Sequence, residues 1–149
     1  MTHADLVQRA RRWLTNTQGC SVVVTAGSIL CDEIPDALGW VGRGTSWLVE
    51  CKASRADFRR DKHKGHRSPL RLGLGSYRYY LAEPGVIPVD ELLDGWGLLE
   101  CRPKQIRVIK HSERDGKKSM VNEIMVLIAH INRSVIVRDH YTLGDGGLI

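Results

Sequence analysis

Leu6, Ala10, Trp13 and Leu14 recur at intervals of three and four, which predicts an amphipathic helix from about His3 to Thr15. Thr2, with Asp5 three positions on, forms a capping box at its start, and the polar run Asn16 to Gly19 ends it. The period then changes. Ser21-Val22-Val23-Val24-Thr25 is short and β-branched, as a buried strand is. Asp36 to Trp40 and Ser46 to Lys52 read as two more strands, with Gly42-Arg43-Gly44 as the turn between them. In the second of these, Trp47, Val49 and Cys51 leave one face for a core, while Glu50 and Lys52 share the other.

Further along, Ser54 caps a helix and Asp57 completes its capping box. Lys64 to Ser76 carries three glycines, a proline and several cations, which predicts a mobile loop over the face that carries Glu50 and Lys52. Tyr77 to Ala82 is a strand whose tyrosines are half-buried or available for base stacking. After a turn at Glu83-Pro84-Gly85, Pro88 to Leu93 reads as a short helix with proline in its first turn, and Gly95 to Cys101 as a strand containing Trp96. Gln105 to Lys110 is a further strand, Asp115-Gly116 a turn, and Met120 to Ser134 an amphipathic helix through Val121, Ile124, Met125, Ile128, Ala129 and Ile131. The glycine-containing tail from Thr142 frays. This succession predicts one α/β domain over residues 1–149, a mixed central sheet flanked by helices, with a C-terminal extension from about residue 103.

Composition narrows the class without choosing a function. A chain of 149 residues, 42% hydrophobic and 26% charged, can bury a core unaided. No run is long enough for a membrane span, so cytoplasmic residence is the expectation. Cys20, Cys31, Cys51 and Cys101 lie far apart with no C-x-x-C pair; free, buried thiols fit better than a zinc site. The net charge of +5 favours a polyanionic partner, and its distribution says more. Arg55, Arg59, Arg60, Lys62, Lys64, Arg67 and Arg71 follow after Lys52 with only Asp57 and Asp61 opposing them, and a second basic cluster runs from Arg102 to Lys118. Cations so placed are candidates for contacts to a DNA backbone, which give affinity without sequence choice.

The candidate chemistry depends on register. A turn centred on Arg43 sets Asp36 directly opposite Glu50, with Cβ atoms about 4.5–5.5 Å apart. A two-residue turn would send the acids to different faces. Side by side, two carboxylates repel unless a cation lies between them, and magnesium is often held by such a pair with water and phosphate oxygens. Lys52 adds a compact positive charge beside them.

Pro35-Asp36 followed by Glu50-Cys51-Lys52 resembles the PD-(D/E)xK nuclease superfamily of restriction enzymes, repair nucleases and Holliday-junction resolvases. With the leading helix, the hairpin, Tyr79-Tyr80-Leu81 and Gly95 to Leu99, residues 3 to 101 are similar to small phage and bacterial proteins of the MmcB-like repair group. The resemblance implies a restriction-endonuclease-like sheet and magnesium-dependent cleavage of DNA, with manganese as a substitute. It further implies Asp36, Glu50 and the main-chain carbonyl of Cys51 as metal ligands, and Lys52 as the catalytic lysine. Relatives often carry an acid on the first helix; here that helix offers Asp5, and Glu33 is the second-rank candidate ligand. Two alternatives stay open: a Holliday-junction resolvase or other structure-selective endonuclease, which predicts a homodimer, and a non-catalytic DNA-binding or partner-binding module.

Overall fold

The computed structural model describes residues 1–25, 34–64, 67 and 72–144, with side chains through residue 132. It is α/β: a six-stranded mixed sheet in chain order, β1 (Val22–Thr25), β2 (Ala37–Trp40), β3 (Ser46–Cys51), β4 (Tyr77–Ala82), β5 (Gly97–Cys101) and β6 (Ile106–Lys110). β3 pairs parallel with β4, and β4 with β5; the outer pairings are antiparallel. Three helices accompany the sheet: α1 (His3–Asn16), α2 (Arg55–Lys62) and α3 (Met120–Gly144).

The two-residue alternation of the strands separates two cores. On one face α1 lays Leu6, Ala10, Trp13 and Leu14 against Val49, Cys51, Tyr79 and Leu81. Trp13 meets Trp47 and Tyr79 edge to face, at 6.1 and 5.7 Å. The Thr2–Asp5 capping box is complete, and it consumes the Asp5 carboxylate. On the other face Leu38, Leu48, Tyr80 and Leu98 pack against Phe58 of α2 and Val126 of α3. Tyr79 and Tyr80 are buried, so the base-stacking option for them is closed. Cys20, Cys51 and Cys101 are free and buried, as expected; Cys31 falls outside the described residues.

The hairpin has the odd turn that the acid pair requires. Gly42–Gly44 forms a kinked three-residue turn in which Arg43 has φ 61° and Gly44 has φ 73°. Ala37 pairs with Val49 and Leu38 with Leu48; continued by one residue, this register sets Asp36 opposite Glu50.

Several boundaries differ from expectation. Pro88 to Leu93 makes only a 3-10 turn at Val89–Glu91, because Pro88 sits before the turn and its extended backbone precedes helical geometry. The Ser54 cap is half of a box: its hydroxyl accepts from the Asp57 N–H, but the Asp57 carboxylate engages Arg60 instead. β5 starts at Gly97, after Trp96, and α3 runs to Gly144 rather than Ser134. β6 forms one edge of the sheet, and α3 is tied to β2 and β3 through Glu123, which is buried and accepts four hydrogen bonds. Its Oε1 accepts from Trp40 Nε1 and Lys118 Nζ, both at 3.0 Å, and its Oε2 from Ser46 Oγ at 2.8 Å and Gly75 N at 2.9 Å.

Gly97 is a packing glycine. A Cβ there would lie 2.6 Å from the Lys110 carbonyl oxygen and would also strike the Tyr79 ring. Gly97→Ala should therefore destabilise the protein by roughly 1–3 kcal/mol, as overpacking does. Thermal melting checks this, and an unchanged midpoint would show that β5 and β6 can separate freely.

Candidate active site

Asp36 immediately precedes β2, and its Oδ2 accepts from the Cys51 N–H at 2.8 Å. This bond holds the carboxylate against the end of β3. Its Oδ1 lies 3.2 Å from His3 Nε2, at the start of α1. Glu50, from the same end of β3, is buried. Lys52 lies one residue past the strand, where its N–H still donates to the Leu81 carbonyl at 2.9 Å. Its ammonium reaches back to within 3.6 Å of Glu50 Oε2. Asp36, Glu50, Cys51 and Lys52 thus line one cleft of about 410 Å³, together with Asp61 and His3.

Asp61 is the residue that pattern reading overlooks. It counts simply as an acid opposing the basic cluster, yet it is 1% exposed. The signal was present: it follows Phe58 by three, so both fall on the buried stripe of α2. Its carboxylate accepts from Lys52 Nζ at 3.2 Å, Arg67 Nε at 2.9 Å and the Tyr80 hydroxyl at 2.6 Å, and Lys64 Nζ also stands 3.2 Å away. Arg67 takes a second bond to it, Nη2 to Oδ1 at 3.3 Å, and lies over the Trp96 ring with its Cζ 4.6 Å from the centroid. Its side chain is only 2% exposed. Arg67 is therefore an interior member of the site and not an exposed backbone contact, which corrects its assignment to the outer basic cluster.

Both cations also approach Glu50, but without hydrogen bonds. Arg67 Nη2 stands 3.3 Å from Glu50 Oε1, within ion-pair range, yet that oxygen receives no hydrogen bond among the described residues. The proton affinities follow the same asymmetry. Burial pushes the Glu50 carboxyl up to about 8, and the neighbouring charges of Arg67 and Lys52 only partly oppose it, while Asp36 adds to the rise. Burial works on Asp61 too, but its hydrogen bonds and charge pairing with Arg67, then Lys52, outweigh it and hold the carboxyl well below the usual range. Burial, reinforced by Asp61, raises the Tyr80 phenol.

Glu50 Oε1 is a buried carboxylate oxygen that accepts no hydrogen bond among the described residues, beside a second carboxylate in an open cleft. Those residues fit a hard divalent cation. Among the described residues no group of three or more His, Cys, Asp or Glu side chains forms a ligand set, so a cation here would rest on Asp36, Glu50, the Cys51 carbonyl and water. That is a composition magnesium accepts. Asp5 is committed to its cap, and Glu33 lies outside the described residues, as do residues 65, 66 and 68–71 of the Lys64–Ser76 loop. His63 is exposed on the helix end.

The remaining basic residues stay outside. Arg55 and Arg59 flank Glu91, Arg60 pairs with Asp57, and Lys62 rides over the Phe58 ring at 5.3 Å. Arg60 and Lys64 reach the mouth of the cleft. Arg9, by contrast, is spent on the Arg102 and Pro103 carbonyls, and Lys118 on Glu123. No described helix is long and apolar enough to cross a membrane.

No family model matches the chain, and no curated protein matches it. A solved structure of a protein of unknown function from Silicibacter pomeroyi is similar, with a TM-score of 0.66 and 18% identity over 100% of this chain and 97% of that one. At that identity the likeness extends to the shared α/β fold.

Proposed function

We propose that this chain is a magnesium-dependent deoxyribonuclease that hydrolyses DNA phosphodiesters, with Asp36 and Glu50 holding the ion. The observation that carries the reading is the state of Glu50. It is buried opposite Asp36, its Oε1 has no hydrogen-bond donor among the described residues, and two cations stand close by without bonding to it. A cation bound there would polarise the phosphodiester and supply an acidified water. Asp36 is fixed for its part by the Cys51 N–H, and the Cys51 carbonyl is the third protein ligand. Lys52, held by Asp61, presents its ammonium to charge developing on the phosphate. Arg60 and Lys64 at the mouth, with Arg55 and Arg59 behind them, would take the DNA backbone.

The test is cleavage of labelled duplex, single-stranded, flap and four-way-junction DNA with magnesium, manganese or chelator. Wild type should cut only with a divalent metal. Lys52→Ala should lower turnover roughly 10²–10⁴-fold, as loss of a positioned proton donor does, while DNA binding persists. Asp36→Ala should lose both cutting and metal uptake. DNA binding without cutting by wild type, under every metal, would leave a binding module in place of an enzyme. Preferential cutting of the four-way junction would favour the resolvase form.

A further inference from the structure

Resting on the metal site just proposed, we infer that Asp61 is a positioning residue that draws Lys52 and Arg67 away from Glu50 and so keeps Glu50 open to the metal. Glu50 and Asp61 face the same two cations, and they could share them equally. They do not. Every hydrogen bond these cations make to the pair goes to Asp61: Lys52 Nζ at 3.2 Å, Arg67 Nε at 2.9 Å and Arg67 Nη2 at 3.3 Å. Glu50 has the same groups at 3.6 and 3.3 Å in ion-pair contact alone.

The bias is built into the surroundings. The Tyr80 hydroxyl donates to Asp61 Oδ2 at 2.6 Å, and Tyr80 is itself stacked on Trp96, with centroids 4.5 Å apart. Trp96 in turn carries the Arg67 guanidinium. Tyr80 and Arg67, both packed on the Trp96 indole, therefore converge on the Asp61 carboxylate. Buried cations need a hydrogen-bonded counter-charge. Without Asp61, the nearest carboxylate for both would be Glu50, and they would compete with any divalent ion for its oxygens. Asp61 thus acts on the metal through Lys52 and Arg67 and touches neither ion nor substrate.

The test is direct titration of manganese into the full-length chain, followed by calorimetry and by the electron paramagnetic resonance signal of the free ion. Asp61→Asn keeps the shape and removes the charge; it should weaken manganese binding roughly 10–100-fold, the usual scale for loss of a group that supports a metal ligand. Asp61→Asn combined with Arg67→Gln should recover most of that loss, because one competing cation is gone. A purely structural role for Asp61 would give no recovery. Wild-type affinity in Asp61→Asn, or no recovery in the double variant, overturns this inference and leaves the metal site standing. Absence of manganese binding by wild type overturns both. If Asp61→Asn alone fails to fold by thermal melting, the double variant is compared with Arg67→Gln: manganese binding within a few-fold of Arg67→Gln supports the competition, and a further loss of roughly 10–100-fold overturns it.

Discussion

Glu50→Gln is expected to abolish divalent-metal binding and cleavage while making the metal-free protein more stable at alkaline pH. The opposite signs come from one cause. Glu50 is buried and its carboxyl is pushed up to about 8 from an ordinary 4.5, so the folded chain prefers it protonated. Below pH 4.5 the folded and unfolded chains both hold the proton, and the stability that the neutral form provides is fully present. As pH rises towards about 8 the unfolded chain releases its proton and the folded one retains it, so stability falls; above that value the loss is complete. Its size is on the order of a few kcal/mol. Glutamine imitates the protonated acid and should flatten that slope. Metal binding runs the other way, since the ion requires the carboxylate: uptake should release a proton and strengthen as pH rises to about 8. Denaturant unfolding of both proteins from pH 5 to 9, without metal, measures the slope. Equal slopes would mean that Glu50 is already ionised in the metal-free fold.

Glu123→Ala should cost roughly 3–5 kcal/mol, the scale for breaking a buried charge pair by removing one partner. Four donors depend on this carboxylate, and alanine would strand them together: Trp40 Nε1, Lys118 Nζ, Ser46 Oγ and the Gly75 N–H. Lys118 is the most expensive to leave, because its ammonium is mostly buried and its other partners, Gly44 O and Ser46 Oγ, are neutral. Glu123→Gln should lose less, as it retains one acceptor oxygen in place. The measurement is chemical denaturation at neutral pH. A loss below about 1 kcal/mol, the scale of a surface pair, would show that α3 is held by apolar contacts such as Val126 and not by this network.

Much of the frame is legible from local pattern, for reasons that differ by element. The α1 stripe and the alternation of β3 are strong because each buries one face only, so period reports burial directly. The opposition of Asp36 and Glu50 is legible because parity depends only on the length of the turn, and glycines flank Arg43. Asp61 and Arg67 are not legible in that way. They lie among cations in a sequence that looks like a solvated basic face, and their burial depends on Tyr80 and Trp96 arriving from β4 and the approach to β5. Such meetings are tertiary: the three-residue spacing from Phe58 marks Asp61 as inward-facing but does not reveal its partners, and Arg67, outside the helix, lacks even that mark. The 3-10 turn after Pro88 fails for a smaller reason: three residues are too few for propensity to separate it from a helix.

The tip of the β2–β3 hairpin carries an unusual constraint. Surface tips ordinarily accept added or missing residues. Here residues 42–44 act as a spacer whose count, odd or even, decides whether two acids share a side of the sheet. A single-residue insertion could leave the sheet folded and every charged group intact, yet separate the chemistry into halves on opposite surfaces. Descendants of this chain should therefore be free to vary the identity of the tip far more than its length.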